Sequence, residues 1–191
     1  MPVKRLLLHT CCAPCSIAVI DELRQELRLT VFFYNPNIYP EAEYLKRKAE
    51  VVRLCREWGV EMMDADYRPE EWESACGDGG ADREGGPRCS RCLKLRLGRA
   101  ADCARKLGHD EWATSLSSGR QKITSVVNGI GRAEAERVGV AFRDVDWKKG
   151  GRQERARRML GERGVYRQDY CGCRYSFEAR NRRQAKNDTG R

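Results

Sequence analysis

Short apolar runs alternate along the chain with longer segments in which apolar residues recur every three or four positions. The short runs are typical of buried strands, and the longer segments are typical of amphipathic helices. We expect strands at residues 3–8, 30–34, 60–63, 112–116 and 140–145. We expect helices at residues 17–23, 41–58, 69–75, 89–107 and from about 123 to 138. This alternation predicts an α/β fold, a single domain with a parallel sheet flanked by helices.

The length of 191 residues suits one domain with a sizeable core. We place that domain at residues 1–180, and we expect the polar and basic residues 181–191 to form a flexible tail. No apolar run is long enough to span a bilayer, and no signal peptide is recognisable. We therefore expect a cytoplasmic protein that has no membrane partner.

Lysine and arginine number 37 against 28 aspartate and glutamate residues, which gives a formal net charge of +9. This balance favours an anionic partner, most commonly nucleic acid, although a basic surface kept for solubility has the same composition. One basic stretch carries four arginines at helical spacing, which we expect to form a ridge that faces phosphate: Arg152, Arg155, Arg157 and Arg158.

Ten cysteines in a cytoplasmic chain favour metal or redox chemistry over a framework of disulfides. Seven of them fall into three groups, which are Cys11, Cys12 and Cys15; Cys89 and Cys92; and Cys171 and Cys173. Cys55 and Cys103 lie inside predicted helices and are expected to pack in the core. Cys76 borders a loop rich in glycine and aspartate, and the sequence assigns it to neither class.

The first cysteine group lies between the first predicted strand and the following helix, where open α/β sheets bind their ligands. We expect Ser16 to cap that helix. The second group opens another predicted helix, and backbone N–H groups at a helix N-terminus favour thiolate over thiol. We therefore expect both groups to meet at one end of the sheet. Four thiolates satisfy zinc or a [4Fe–4S] cluster, and ligand type alone does not separate the two.

The third group, Cys171-Gly172-Cys173, closes a small and strained ring when it is oxidised. Strain makes a disulfide easier to reduce, so this spacing suits a donor of two electrons. The alternative is that both cysteines are further metal ligands, since thiolates bind soft metals whatever their spacing. Seven thiols exceed the needs of one closed site, which favours a second metal, a redox dithiol, or both.

Taken in order along the chain, these motifs resemble those of the QueH family of epoxyqueuosine reductases, which complete the queuosine base on tRNA. The resemblance covers nearly the whole chain. It is carried by His9-Thr10-Cys11-Cys12-Ala13-Pro14-Cys15, Tyr34-Asn35-Pro36-Asn37-Ile38, Glu43-Tyr44, Arg88-Cys89-Ser90-Arg91-Cys92, Thr114-Ser115-Leu116-Ser117-Ser118 and Tyr170-Cys171-Gly172-Cys173.

The resemblance implies a nucleotide alpha-hydrolase-like (HUP-type) fold, a [4Fe–4S] cluster and a nearby second, mononuclear iron. It also implies that the substrate is tRNA carrying epoxyqueuosine at the wobble position, reduced in the last step of queuosine biosynthesis. The cluster ligands implied by the motif match are Cys11, Cys12, Cys89 and Cys92. Cys15 would be a ligand of the second iron, and Cys171 and Cys173 would be a redox-active pair.

Reduction of an epoxide to an alkene and water needs two electrons and two protons. An open iron site would bind the epoxide oxygen as a Lewis acid, and the dithiol would supply the electron pair. His9 and Asp169 lie beside the motifs and are candidate proton donors. His9 could equally form hydrogen bonds with the backbone.

Three other classes of protein share some of these features. A thioredoxin-like oxidoreductase matches the strand, Cys12-Ala13-Pro14-Cys15 and the helix, but it leaves the second cysteine group unexplained. A tRNA-thiolating enzyme with an ATP pyrophosphatase domain would share the fold, but residues 10–16 lack the glycines of a phosphate-binding loop. A zinc-stapled RNA-binding domain without enzymatic activity explains four thiolates and the charge, but not the third cysteine group.

Overall fold

The computed structural model describes residues 3–78, 80, 82–119 and 122–189, and its centre is a parallel sheet of five strands. The strands are β1 Arg5–Thr10, β2 Arg28–Phe33, β3 Glu61–Asp64, β4 Glu111–Thr114 and β5 Ala141–Phe142. The α-helices are α1 Ala13–Leu23, α2 Glu41–Glu57, α3 Pro69–Cys76, α4 Pro87–Lys106, α5 Thr124–Val138, α6 Arg152–Glu162 and α7 Arg174–Thr189, and a short 3-10 helix spans Ser115–Ser118. The predicted fold class, a parallel sheet flanked by helices, is confirmed.

The strands lie in the order β3-β2-β1-β4-β5, which makes β1 the central strand. The chain winds outward from β1 to β3 and then returns to the other side of β1 to build β4 and β5. In the register, Leu8 of β1 pairs with Val31 of β2 and with Ala113 of β4. Ligands of such sheets bind where the winding reverses, which is here between the carboxyl ends of β1 and β4.

The central strand is buried on both faces of the sheet. Leu6 and Leu8 join one core cluster, which contains Ile17 of α1, whereas Leu7 joins the other, which contains Leu97 of α4. This alternation follows the two-residue period of a strand. Burial of each such side chain stabilises the fold by about 1.5–3 kcal/mol. The carboxyl end of β1 is therefore firmly held, and it is the place where the first cysteine group begins.

Helix α1 begins earlier than we predicted. It starts at Ala13, with Cys12 in the cap position and Pro14 in the first turn, where the missing N–H of proline leaves no hydrogen bond unmade. Ser16 lies within the helix, and its Oγ donates a 2.9 Å hydrogen bond to the carbonyl of Cys12. The predicted cap at Ser16 is therefore wrong. As a result, Cys15 lies in the first turn of the helix.

The C-terminal region is helical across the boundary that we placed at residue 180, because α7 spans Arg174–Thr189. Whether residues 181–191 are flexible stays a prediction, and residues 190 and 191 lie outside the described part of the chain. Among the described residues, no helix has the length and apolar character needed to span a membrane.

Candidate metal and redox centre

A pocket of about 550 Å³ opens beside the carboxyl ends of β1 and β4. Its wall is built by residues of α1, the 3-10 helix, α6 and the segment 167–171. Three cysteines line it, and they are Cys11, Cys15 and Cys171. The pocket therefore joins the first and third cysteine groups at the end of the sheet where a ligand was expected.

The sulfur atoms of the first group, Cys11, Cys12 and Cys15, all lie within 4.8 Å of one another. Cys11 follows the last residue of β1, Cys12 caps α1, and Cys15 lies in the first turn of that helix. The Sγ atoms of Cys11 and Cys12 are 3.6 Å apart. The turn from strand to helix alone brings the three sulfurs together, and thiolate sulfur is the donor that soft metals select.

Hydrogen bonds within this group shift the pKa values of its three thiols. The side chains of Cys12 and Cys15 are hydrogen-bonded to Cys11, and these contacts hold the pKa of the Cys11 thiol well below its usual value. Contact with Cys11 raises the pKa values of the Cys12 and Cys15 thiols. Since metal ligation requires deprotonated sulfur, binding of a metal would release protons from this group.

The second group lies in the first turns of α4 and is not part of the 4.8 Å set formed by the first group. The sulfur of Cys89 accepts a 3.2 Å hydrogen bond from the backbone N–H of Gly85. Cys92 packs beside the small buried cluster of Trp72, Cys76 and Cys173, and burial raises its pKa. The structure thus brings Cys15, rather than Cys89 or Cys92, into contact range of Cys11 and Cys12.

A buried guanidinium, that of Arg96, lies in the electrostatic field of all three cysteine groups. Burial lowers its pKa, but the electrostatic influence of the nearby cysteine sulfurs, with that of Cys92 the largest, outweighs burial and raises it. Its Nη2 donates a 2.6 Å hydrogen bond to Oδ1 of Asn35, which orients the side chain. Arg96 is therefore the cation around which the three groups are arranged, and the cysteine motifs alone did not point to it.

The turn at the third group depends on Gly172, whose φ of +139° disfavours any residue with a Cβ. A Cβ there would also lie 3.1 Å from Nη1 of Arg47 and 3.1 Å from Nδ2 of Asn37. The carbonyl of Gly172 accepts a 2.8 Å hydrogen bond from the backbone N–H of Tyr39. Glycine between the two cysteines therefore allows the loop after β2 to approach the turn closely.

Arg47 of α2 clamps the same turn, although its side chain is almost fully buried. It donates hydrogen bonds of 3.0 and 3.2 Å to the carbonyls of Cys171 and Tyr170, and its Nε lies 2.7 Å from Glu43. Arg47 was not among the predicted site residues. The available signal was an oppositely charged pair four residues apart, Glu43 and Arg47, in a helix that must bury one face.

Cys171 and Cys173 are free thiols with different surroundings. Cys171 lines the pocket, and Nζ of Lys122 lies 3.1 Å from its sulfur. Cys173 is buried with Trp72 and Cys76, and its sulfur lies 3.5 Å from Oγ of Ser176. Lys122 is a further site residue that was not predicted; the preceding Arg120 and Gln121 lie outside the described residues.

Of the two candidate proton donors, His9 is engaged in the interior. Its Nε2 lies 3.1 Å from the carbonyl of Tyr34, which can only accept, so Nε2 carries the proton and Nδ1 accepts from Thr114 Oγ1 at 2.9 Å. Burial lowers the pKa of His9 to about 3. The backbone-bonding alternative for His9 therefore holds. Asp169 lines the pocket and is 3.3 Å from Arg180.

The arginines of the predicted ridge differ in whether they pair with acidic residues of this chain. Arg152 donates two hydrogen bonds of 2.7 Å to Glu22, and Arg155 pairs with Asp21, so both tie α6 to α1. Arg157 and Arg167 line the pocket, and within the described residues neither has a hydrogen bond or an ion pair. Arg158 is exposed and lies 3.9 Å from Glu162. For Arg152 and Arg155, the structure shows internal ion pairs in place of a free phosphate-facing surface.

The remaining cysteines are consistent with packing roles. Cys55 is buried in the core cluster that contains α1, and Cys103 packs against the other cluster, as predicted. Cys76 is fully buried at the end of α3, where burial raises its pKa to about 12. Cys76 is not part of the 4.8 Å set, so the geometry provides no reason to count it among metal ligands.

Comparison with protein families places this geometry in a known context. A family model described as epoxyqueuosine reductase QueH matches residues 6–179. A protein of that description from Histophilus somni is 37% identical over 181 residues, which cover 94% of this chain and 74% of the relative. Another, from Thermotoga maritima, is 36% identical over 184 residues, which cover 95% of this chain and 94% of the relative.

Solved structures share the fold at low sequence identity. U34-tRNA thiolase NcsA from Methanococcus maripaludis, solved with its [4Fe-4S] cluster, matches with a TM-score of 0.54 and 13% identity over 92% of this chain and 62% of that chain. A predicted subunit of tRNA methyltransferase from Methanocaldococcus jannaschii matches with a TM-score of 0.51 and 14% identity over 83% of this chain and 88% of that chain. These matches concern the fold alone, and they agree with a parallel sheet flanked by helices.

Proposed function

Because the chain belongs to the QueH family of epoxyqueuosine reductases, which are oxidoreductases, we propose that it reduces epoxyqueuosine to queuosine at the wobble position of tRNA. The observation that carries this proposal is the composition of the pocket wall. Sulfurs of the first and third cysteine groups, Cys11, Cys15 and Cys171, share that wall with cationic side chains. A pocket of this kind suits a substrate that is polyanionic and must receive electrons.

The first cysteine group fits an iron–sulfur cofactor by the chemistry of its donors. The set within 4.8 Å contains only cysteine sulfur, and four thiolates are what a [4Fe–4S] cluster requires. We propose as its ligands the four cysteines that match the family motif, Cys11, Cys12, Cys89 and Cys92. Cys15 is then left to bind an additional mononuclear iron. When bound, the cluster would supply single electrons, and an adjacent iron would supply a Lewis acid.

Cys171 and Cys173 are proposed as the redox-active pair. Their oxidation to a disulfide releases two electrons and two protons, which equals the number consumed when an epoxide becomes an alkene and water. The clamp by Arg47 and the approach of the loop at Tyr39 and Gly172 support a fixed position for the pair. Fixed positions favour catalysis because less motion has to be arrested at each turnover.

Binding of tRNA is proposed to involve Arg157 and Arg167. Both line the pocket, and within the described part of the chain neither has an acidic partner that would compete with phosphate. Phosphate contacts of this kind position a nucleic acid without reading its sequence. Location in the cytoplasm, where such a substrate would be met, stays a prediction.

The proposal is tested by purifying the protein without oxygen and assaying tRNA that carries epoxyqueuosine. We expect a brown protein that contains iron and acid-labile sulfide. Digestion of the product tRNA should yield queuosine, which is separated from the other nucleosides and identified by mass spectrometry. Zinc in place of iron, together with unchanged epoxyqueuosine, would contradict the proposal and favour a zinc-stapled RNA-binding domain.

The ligand set is tested separately from the activity. Cys89→Ala and Cys92→Ala should lower both iron and sulfide if the second group holds the cluster. Full iron and sulfide in Cys89→Ala would remove that residue from the ligand set. Cys89 lies outside the 4.8 Å set of the first group, so the Cys89→Ala variant tests whether a ligand from α4 is needed.

A further inference from the structure

The two sulfurs of the third cysteine group differ in access and in charge. Cys171 lines the pocket, whereas Cys173 has only 8% of its surface exposed. Lys122 Nζ is 3.1 Å from the sulfur of Cys171 and lines the same pocket. A pocket-facing thiol beside an ammonium group has the surroundings of a reactive cysteine, and a buried thiol without a cation has those of an inert one.

The position of the ammonium group is supported from the backbone side of Lys122. Its backbone N–H donates a 3.0 Å hydrogen bond to the carbonyl of Gly119, and its own carbonyl accepts a hydrogen bond from Lys148 Nζ. The sulfur of Cys171 is likewise placed by the hydrogen bond from Arg47 to the carbonyl of the same residue. Lys122 and Cys171 are therefore each held in place by other residues, independently of the contact between them.

The interior partner, Cys173, lies in a small buried cluster. Cys173 packs with Trp72 and Cys76, and Oγ of Ser176 is the polar atom beside its sulfur, at 3.5 Å. An external thiol cannot reach this sulfur without displacing packed side chains. In thiol–disulfide exchange, the sulfur that is attacked is decided by access as well as by charge.

We propose that Cys171 is the sulfur through which the pair exchanges with an external dithiol, that the ammonium group of Lys122 holds this sulfur at the pocket wall, and that Cys173 is the internal partner. This inference rests on the proposed function, which makes the pair redox-active. Lys122 is a positioning residue in this scheme, since it acts through Cys171.

Atoms and electrons balance in this exchange. A thiolate of the external dithiol attacks the sulfur of Cys171 in the oxidised pair, a mixed disulfide forms, and Cys173 leaves and takes up a proton. The second thiol of the external molecule then loses its proton and attacks the first sulfur of that molecule, which is bonded to Cys171. The bond to Cys171 breaks, and Cys171 leaves as a thiolate beside Lys122. The external dithiol is oxidised to a disulfide, and the pair gains the two electrons needed for the next epoxide.

The test uses the cofactor-loaded protein and an aromatic disulfide, 4,4′-dithiodipyridine, as the probe. In Cys173→Ser we expect a mixed disulfide to form at Cys171, identified by peptide mapping. In Cys171→Ser we expect the peptide that contains Cys173 to stay unmodified over the same time. Equal reaction at Cys173 in Cys171→Ser would overturn the assignment of the exchange sulfur.

The role of the lysine is tested in the Cys173→Ser background. Lys122→Met should slow mixed-disulfide formation at Cys171 by about tenfold, because the reacting sulfur loses its adjacent cation. Lys122→Arg keeps the charge and should restore most of the rate, which a merely structural loss would not allow. Lys94→Met, on the exposed side of α4, is the matched control and should leave the rate unchanged. An unchanged rate of mixed-disulfide formation in Lys122→Met would contradict the positioning role of Lys122.

Reduction of epoxyqueuosine tRNA by the wild-type protein is measured in parallel. If the wild type forms queuosine but exchange occurs at Cys173, only the division of roles fails. If the wild type forms no queuosine, the proposed function fails whichever sulfur exchanges.

Discussion

The first and third cysteine groups supply sulfur to the same pocket, but different interactions place them there. Cys11, Cys12 and Cys15 follow the central strand directly and are positioned by the backbone of one strand and one helix turn. Cys171 and Cys173 lie in an irregular segment before α7, and side chains from distant parts of the chain hold that segment. Three sulfurs can thus be brought together by local backbone alone, whereas the position of the third group depends on residues far apart in sequence.

The largest effect is expected from removing a sulfur of the first group. Cys11→Ala should lose iron and sulfide and abolish reduction, because its sulfur lies within 4.8 Å of those of Cys12 and Cys15 and its thiol has a lowered pKa. Cys171→Ser should keep its iron and lose multiple turnover. Iron, sulfide and product are measured on the same anaerobic samples, with Cys103→Ala as a control that removes a thiol elsewhere in α4. If Cys171→Ser loses a single iron while the cluster remains, the third group is a ligand rather than a redox pair.

Arg47→Met should specifically weaken the third group. Loss of one member of a buried ion pair costs about 3–5 kcal/mol of unfolding free energy, since the partner Glu43 is left uncompensated. Arg53→Met, in the same helix with partly exposed acidic partners, should cost less than about 1 kcal/mol. Denaturant unfolding measures both, and hydrogen exchange should rise in residues 166–173 of the Arg47 variant. Equal losses in the two variants would contradict the clamp.

Gly172→Ala should have a smaller effect, confined to the turn between the two cysteines. Its positive φ disfavours alanine, and the new Cβ would press on Arg47 and Asn37, for a cost of about 1–3 kcal/mol. Gly161→Ala is the matched control, because it lies in α6 with open space around it and should be neutral or stabilising. Unfolding free energies and the rate of mixed-disulfide formation at Cys171 are compared. A Gly172 variant as stable as the Gly161 variant would show that the close approach is unimportant.

The smallest effect per residue is expected at the arginines that line the pocket. Arg157→Ala and Arg167→Ala should each weaken tRNA binding and reduce its salt slope by about 0.9 for each phosphate that is no longer neutralised. Arg158→Ala, on the same helix but not part of the pocket wall, should change the slope less. Binding is measured by titration at several salt concentrations. An unchanged salt slope when Arg157 and Arg167 are both replaced by alanine would show that these arginines do not contact tRNA phosphates.

Much of the fold followed from local pattern. The short apolar run of β1, the apolar spacing of α2 and α4, and the order of strands and helices all predicted elements that the structure contains. Placement of the first cysteine group also followed, because a strand end and the next helix turn are joined by only a few residues. The start of α1 did not follow: Ser16 was predicted as a cap, but the helix begins at Ala13, with Pro14 in its first turn.

Only the tertiary structure decided which side chains meet across the pocket. The positions of Arg47, Arg96 and Lys122 depend on the strand order and on the reach of long side chains over distances of many residues, neither of which hydrophobic periodicity records. Both Arg152 and Arg157 line the pocket, but Arg152 is paired with Glu22 of α1, whereas Arg157 has no ion pair among the described residues. Local periodicity determines which face of a helix is buried, whereas the packing of helices around the sheet determines which charge each exposed arginine meets.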